Sequence, residues 1–300
     1  MKCNKRQSCI AISLLENPEN VNQVDENEPL ADNFLSNREF LHTIGKNEEE
    51  IMPLFKNITF KSPAIRVEER DLNLAFFQKT LGMKLVSEEN ALAFLSGYQS
   101  SDIRFTIEES PTYRTRAVEG TKKLNQVIIK AAVDDIAQLL ACGIETKRIF
   151  KGPKGYAFEA VSPQGDAILI YGESSVEELE EVTSVDLVAD ESFKGLSDFV
   201  VEGIVLNVSD PDASQAFYQK LFDDQVPLHL QFKKSQGPDL AIEPQVTWDI
   251  EILECQVSED FDLVALYDDF NAKGLAPYMD KKANVVVVSD PSNIEIWFTK

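Results

Sequence analysis

The imidazoles and thiols of this 300-residue sequence are few: His42 and His229, and Cys3, Cys9, Cys142 and Cys255. A thiol nucleophile needs a histidine within hydrogen-bond reach, so Cys142 or Cys255 would have to meet His229, because His42 lies in a polar N-terminal stretch. Cys142 falls at a helix end among Leu139, Leu140 and Ile144, and Cys255 lies inside an alternating strand. Both settings read as buried thiols acting as small hydrophobes. His229, between Leu228 and Leu230, reads as an ordinary strand histidine. The sequence has no His-Glu-x-x-His for zinc, no Gly-x-Ser-x-Gly elbow and no Asp-Thr/Ser-Gly pair. A serine–lysine arrangement leaves little local signature and stays open. No Cys-x-x-Cys pair occurs, so neither a disulfide framework nor a Cys-based zinc site is expected.

Charge narrows the partners. A formal net charge of −22 and a pI near 4.5 argue against nucleic acid and against an anionic membrane surface, both of which demand clustered Lys and Arg. No apolar run approaches the roughly 20 residues that span a bilayer. After Lys2, Lys5 and Arg6 comes the apolar run Cys9 to Leu15, short for a signal peptide and followed by no small-residue cleavage site. The expected location is therefore the cytoplasm. Glu16 to Glu50 is polar, acidic and Asn-rich, so residues 1–52 are expected as a disordered or non-native extension, with Met52 as an alternative start to Met1.

The elements that must position any chemistry announce themselves by repetition. Ala75-Phe76-Phe77-Gln78-Lys79 returns as Ala216-Phe217-Tyr218-Gln219-Lys220, each after an apolar run and an Asp, Asp71 or Asp210. The Asp is read as the N-cap, with Pro211 at a first helical position, and the aromatics as one apolar helix face. Gly82 is read as a left-handed helix stop. Strand and turn signals then give β-α-β-β-β passes from Ile58 and Gln126, a shortened one from Phe199 that ends at a strand Leu240–Ile242, and a fourth from Trp248. The expected class is α+β, in tandem βαβββ modules. Residues 53–172 form an N-terminal paired-module domain, 173–198 an acidic linker read as a solvated spacer with a short helix near Val176 to Val182, and 199–300 a shorter C-terminal paired-module domain.

Strand alternation then selects side chains. Pro63, Ile65 and Val67 should face the helix, leaving Ser62, Ala64 and Arg66 on the opposite face. The same rule turns Arg104, Thr106 and Glu108 inward from the fourth strand, Gln126, Ile128 and Lys130 from the second module, and Tyr171 from its last strand. Ser62, Arg66, Arg104, Glu108, Gln126, Lys130 and Tyr171 are the candidate cleft-lining residues. Three cations against one acid would suit a small anionic ligand, a carboxylate or phosphate held by arginine forks.

The order strand, Asp, aromatic-rich helix, Leu-Gly and Pro-turn-strand resembles the vicinal-oxygen-chelate fold of glyoxalases and bleomycin-resistance proteins. Phe55-Lys56-Asn57-Ile58-Thr59-Phe60-Lys61, Arg66-Val67, Arg70-Asp71-Leu72-Asn73 and Leu85-Val86-Ser87-Glu88-Glu89-Asn90-Ala91 resemble the CppA family. In streptococci that family is named as a proteinase degrading the third complement component. The resemblance implies paired glyoxalase-like modules, and a complement protein as partner, which would require release or surface exposure. In metal-using members of the wider fold each module offers a donor on its first strand and a Glu on its last. Here the matching first-strand positions are about Ser62, Ile128, Gly203 and Ile252, and the last-strand positions Glu108, Leu169 and Glu295. Each half keeps at most one carboxylate beside apolar positions, so no metal and no cofactor is expected. Three classes follow: a complement-degrading proteinase by resemblance, a metal-free small-molecule binder or enzyme, and a non-catalytic interaction protein.

Overall fold

The computed structural model describes residues 54–300, so the expected extension, its apolar run and the choice between Met1 and Met52 lie outside the described residues. Four units follow one another. The first holds β1 (Thr59–Val67), α1 (Arg70–Lys79), β2 (Lys84–Glu89), β3 (Leu92–Ser96) and β4 (Phe105–Glu109). The second holds β5 (Leu124–Ala131), α2 (Val133–Ala141), β6 (Arg148–Lys151), β7 (Tyr156–Val161) and β8 (Ala167–Tyr171), followed by a 3-10 turn (Val176–Glu178) and β9 (Glu180–Val182). The third is shortened to β10 (Phe199–Val208), α3 (Pro211–Phe222) and β11 (His229–Lys234). The fourth is complete, with β12 (Ile250–Gln256), α4 (Leu263–Ala272), β13 (Tyr278–Met279), β14 (Val285–Ser289) and β15 (Glu295–Thr299). The strand expected at Leu240 to Ile242 is a turn.

Within every unit the first strand pairs in parallel with the last: β1 with β4, β5 with β8, β10 with β11 and β12 with β15. The first strands then pair antiparallel across the two halves of the chain. β1 joins β12 in an eight-stranded sheet, β13-β14-β15-β12-β1-β4-β3-β2, and β5 joins β10 in a seven-stranded sheet, β11-β10-β5-β8-β7-β6-β9. Units one and four therefore share one sheet, and units two and three the other. Sequence order had placed one with two and three with four.

The helices form for local reasons. Asp210 accepts the Ala213 N–H at 3.1 Å with Pro211 at the first position, as its sequence predicts. In α1 the N-cap is Glu69, without a side-chain cap, and Asp71 falls in the first turn, where its charge faces the positive end of the helix dipole. Gly82 follows with φ +67, and an added Cβ there would meet Leu139 Cδ2 at 2.7 Å and the Leu196 nitrogen at 3.2 Å. Leu74 and Phe77 of α1, Ile136 and Leu139 of α2, Tyr218 and Phe222 of α3, and Leu266 and Phe270 of α4 enter one core with the inward residues of both sheets. Each such side chain contributes ~1.5–3 kcal/mol on burial, so this core binds the sheets into one body.

The acidic stretch 173–198 is built structure. Ser175 and Glu178 form a capping box, β9 pairs with β6, and the buried Leu196 donates its N–H to the Gly82 carbonyl at 2.8 Å. A spacer reading weighs the acids and overlooks Val176, Leu179 and Leu196, whose burial supplies the driving force.

Candidate functional site

Each sheet turns one face to the common core and leaves an outer face, and six of the seven cleft candidates divide between the two outer faces. Gln126, Lys130 and Tyr171 alternate with core residues on β5 and β8, as expected, and lie on the seven-stranded sheet. Ser62, Arg66 and Glu108 lie on the eight-stranded sheet. Arg104 precedes β4 and joins neither set; its guanidinium pairs with Asp102 at 3.2 Å and Asp198 at 3.4 Å.

The outer face of the seven-stranded sheet is already filled. Ile128, Ala157, Leu169 and Tyr171 form a second apolar cluster, covered by Phe150, Val205 and, from the acidic stretch, Val176 and Leu179. Its polar residues are matched too. Glu202 takes Lys130 at 3.0 Å and the Tyr171 hydroxyl. Glu159 takes Gln126 at 2.9 Å, Arg148 at 2.7 Å and Lys147 at 3.1 Å. Burial disfavours the Glu159 charge, but the hydrogen bonds from Arg148 and Lys147 outweigh it and hold the carboxyl below its usual range.

On the eight-stranded sheet the outer face is polar at its centre. Arg66, 5% exposed, donates to Glu108 at 2.9 Å and meets Glu251 at 3.0 Å, while its Nε–H has no partner among the described residues. Glu251 reaches this position through a β-bulge. Ala64 pairs with Ile252 and Ile65 with Ile250, so Glu251 is the extra residue between them, and such a bulge re-aims a side chain. Burial pushes the Glu251 carboxyl up to about 7; Arg66 opposes the shift, and Glu108 and Glu295 add to it. Beside this group, Ser62 meets Thr106 and Glu254 at 3.4 Å each, and Glu254 takes Lys61 and the Thr299 hydroxyl at 2.9 Å. Glu295 accepts the Trp297 indole N–H at 2.8 Å.

The loops between units hold these strands in place. Arg116 forks onto Asp239 at 2.6 and 2.9 Å, and Asp249 accepts the N–H groups of Lys123, Leu124 and Ile250 at 2.6, 3.0 and 2.8 Å. Trp248 donates to the Ser110 carbonyl at 2.7 Å. The start of β12, and with it Glu251, is thereby fixed to the first half of the chain.

Sequence reasoning missed Glu251, Glu254 and Trp297 because it assigned the fourth unit to another domain. One signal was present: Glu251 and Glu254 stand three apart in a strand, and an odd spacing shares a face only across an inserted residue. Cross-pairing also revises the expectation of one carboxylate per site, since Glu108 and Glu295 lie on the same face. The residues nonetheless do not fit the divalent metal of the wider fold. The Arg66 guanidinium lies between Glu108 and Glu251, Ile252 is apolar, and among the described residues no three His, Cys, Asp or Glu side chains converge on a metal position. The thiol candidates separate as well. Cys142 is exposed, correcting its expected burial, whereas Cys255 is buried and its thiol is pushed up by that burial. His229 is exposed on β11, with Gln231 at 3.1 Å.

Comparison with known proteins agrees with this architecture. A family model described as CppA N-terminal matches residues 60–182, and one described as CppA C-terminal matches residues 196–298. The search of curated proteins gave no match. Among solved structures, the cppA protein from Streptococcus pneumoniae TIGR4 is 32% identical with a TM-score of 0.70, covering 81% of this chain and 98% of its own. Glyoxalase I from Zea mays is 14% identical with a TM-score of 0.51, covering 81% of this chain and 92% of its own. That likeness shows the fold, paired modules of the vicinal-oxygen-chelate type. Two family models that together span most of the sequence, and a relative matched over nearly its full length, place this chain in the CppA family.

Proposed function

We propose that this chain is a metal-independent small-molecule-binding protein whose ligand sits on the outer face of the eight-stranded sheet and carries a protonated amine. The charge balance of that face carries the reading: Glu108, Glu251, Glu254 and Glu295 stand against Lys61 and Arg66. Arg66 is taken by Glu108 and Glu251, and Lys61 by Glu254. Glu295 is left with an indole neighbour, Trp297, and no cation among the described residues. An acid beside an aromatic ring suits an alkylammonium group. Glu251, held near neutrality, adds a group able to give or take a proton there.

Two other readings compete. The anionic ligand drawn from Arg66, Arg104 and Lys130 meets cations that carboxylates already engage. The complement-degrading proteinase draws on family resemblance, while the raised thiol of Cys255 makes a poor nucleophile. Thermal-shift titration of the purified full chain separates the three. Ethanolamine, putrescine or free amino acids should raise the melting temperature, chelation should leave that rise unchanged, and Glu295→Gln should remove it. A rise with acetate or phosphate instead, or specific cleavage of the third complement component under protease-inhibitor controls, would overturn the reading.

A further inference from the structure

Three of the four units end alike. The last strand, parallel to the first, takes an antiparallel neighbour on its other edge: β4 takes β3, β8 takes β7 and β15 takes β14. Each neighbour buries two apolar side chains two residues apart in the common core: Ala93 and Leu95, Phe158 and Ala160, Val286 and Val288. The third unit has no such strand. β11 ends the seven-stranded sheet, and its outer edge pairs with nothing among the described residues. Where the missing side chains would lie, a groove of about 520 Å³ opens between α3 and β11; Val226, Leu228, Leu230 and Phe232 supply its apolar lining, and Gln215, Asp224 and His229 its polar lining. A free edge beside a groove that offers apolar side chains at alternate positions, Leu230 and Phe232, is the geometry that strand addition uses.

We infer that β11 is a docking edge for an extended peptide of a partner protein, added antiparallel, with two apolar side chains at alternate positions entering the groove. The internal repeat fixes the direction and the spacing, because β3, β7 and β14 all show them. Charge fixes the ends. Lys233 and Lys234, exposed at the C-terminal end of β11, form no ion pair among the described residues of this acidic chain, and Asp224 lines the groove near its other end. In antiparallel register the two lysines meet the N-terminal end of the peptide, which should therefore be acidic. This site is separate from the outer face of the eight-stranded sheet and does not depend on the function proposed for it.

The test uses the full chain and a fluorescein-labelled synthetic peptide of roughly ten residues, enough for a strand with flanking residues, starting with two glutamates and continuing as alternating valine and threonine. Anisotropy should report binding, and amide exchange should slow across residues 229–234. The same peptide N-methylated at alternate nitrogens should not bind. Lys233→Glu with Lys234→Glu, two exposed changes that leave the core untouched, should weaken binding about tenfold. A peptide beginning with two lysines should regain affinity for that double variant. Equal binding of the N-methylated peptide, or unchanged exchange at 229–234, would overturn the inference. So would protection of those amides by concentration-dependent dimerisation without peptide, which would assign the edge to a second copy.

Discussion

Arg66 decides what the outer face of the eight-stranded sheet can hold. Its guanidinium separates two carboxylates that would otherwise repel in a poorly hydrated setting, and one of them, Glu251, is 8% exposed. Arg66→Met should therefore cost ~3–5 kcal/mol, as the loss of one partner of a buried pair does. Adding Glu251→Leu should restore part of that loss, and urea unfolding of wild type and the two variants measures both steps. The pH dependence of Glu251 has a definite sign. Its folded pKa of about 7 lies above the ordinary 4.5, so the folded chain holds this proton more tightly than the unfolded chain does. Its contribution to stability is complete below pH 4.5 and is lost as pH rises to about 7. Asp249 and Asp290, raised by burial, shift the same way, while Asp239 and Asp280 are lowered. The difference between wild type and Glu251→Gln isolates the one group. Melting temperatures across this range should fall more steeply in wild type than in the variant; parallel curves would refute the assignment.

At the scale of elements, residues that act through local geometry were readable and those that act through partners were not. Asp210 with Pro211 wrote the start of α3, because a cap depends on the next three residues alone. Asp71 resembles Asp210 in the repeat, yet its helix begins two residues earlier and it caps nothing. Asp210→Ala should consequently cost about 1 kcal/mol, and Asp71→Ala less, since only a screened dipole interaction is lost; chemical denaturation of the two variants compares them directly. Alternation placed Ser62, Arg66 and Glu108 on one face and Gln126, Lys130 and Tyr171 on one face, because a strand's pleat is a local property. Which two faces belong together was not legible, since every first strand carries similar apolar runs and nothing in a strand names its neighbour. The bulge at Ala64 and Ile65 likewise arises only once β1 and β12 meet. Without it, strict alternation sends Glu251 into the core.

For the whole molecule, the decisive feature is that each sheet takes one unit from each half of the chain. Cutting between the halves would leave β1 and β5 with bare edges where β12 and β10 now pair over six and seven residue pairs. It would also halve a core that collects residues from all four helices. Neither half should then fold as a soluble unit, because exposed apolar surface and open central strands favour aggregation. The two should still recognise each other, since every pairing between them is a backbone ladder backed by buried side chains. A protease site inserted beside Val188, 86% exposed within the joining stretch, tests this without altering the core. After cleavage the fragments should co-elute in gel filtration and melt in a single transition, and each half expressed alone should be insoluble or unfolded. Separation of the fragments into two folded species would mean that the chain is two independent domains after all, and that Glu251 can leave Arg66 without loss of either fold. That outcome would remove the structural basis of the proposed ligand face, whose acids come from both halves, while leaving the β11 edge intact in the second.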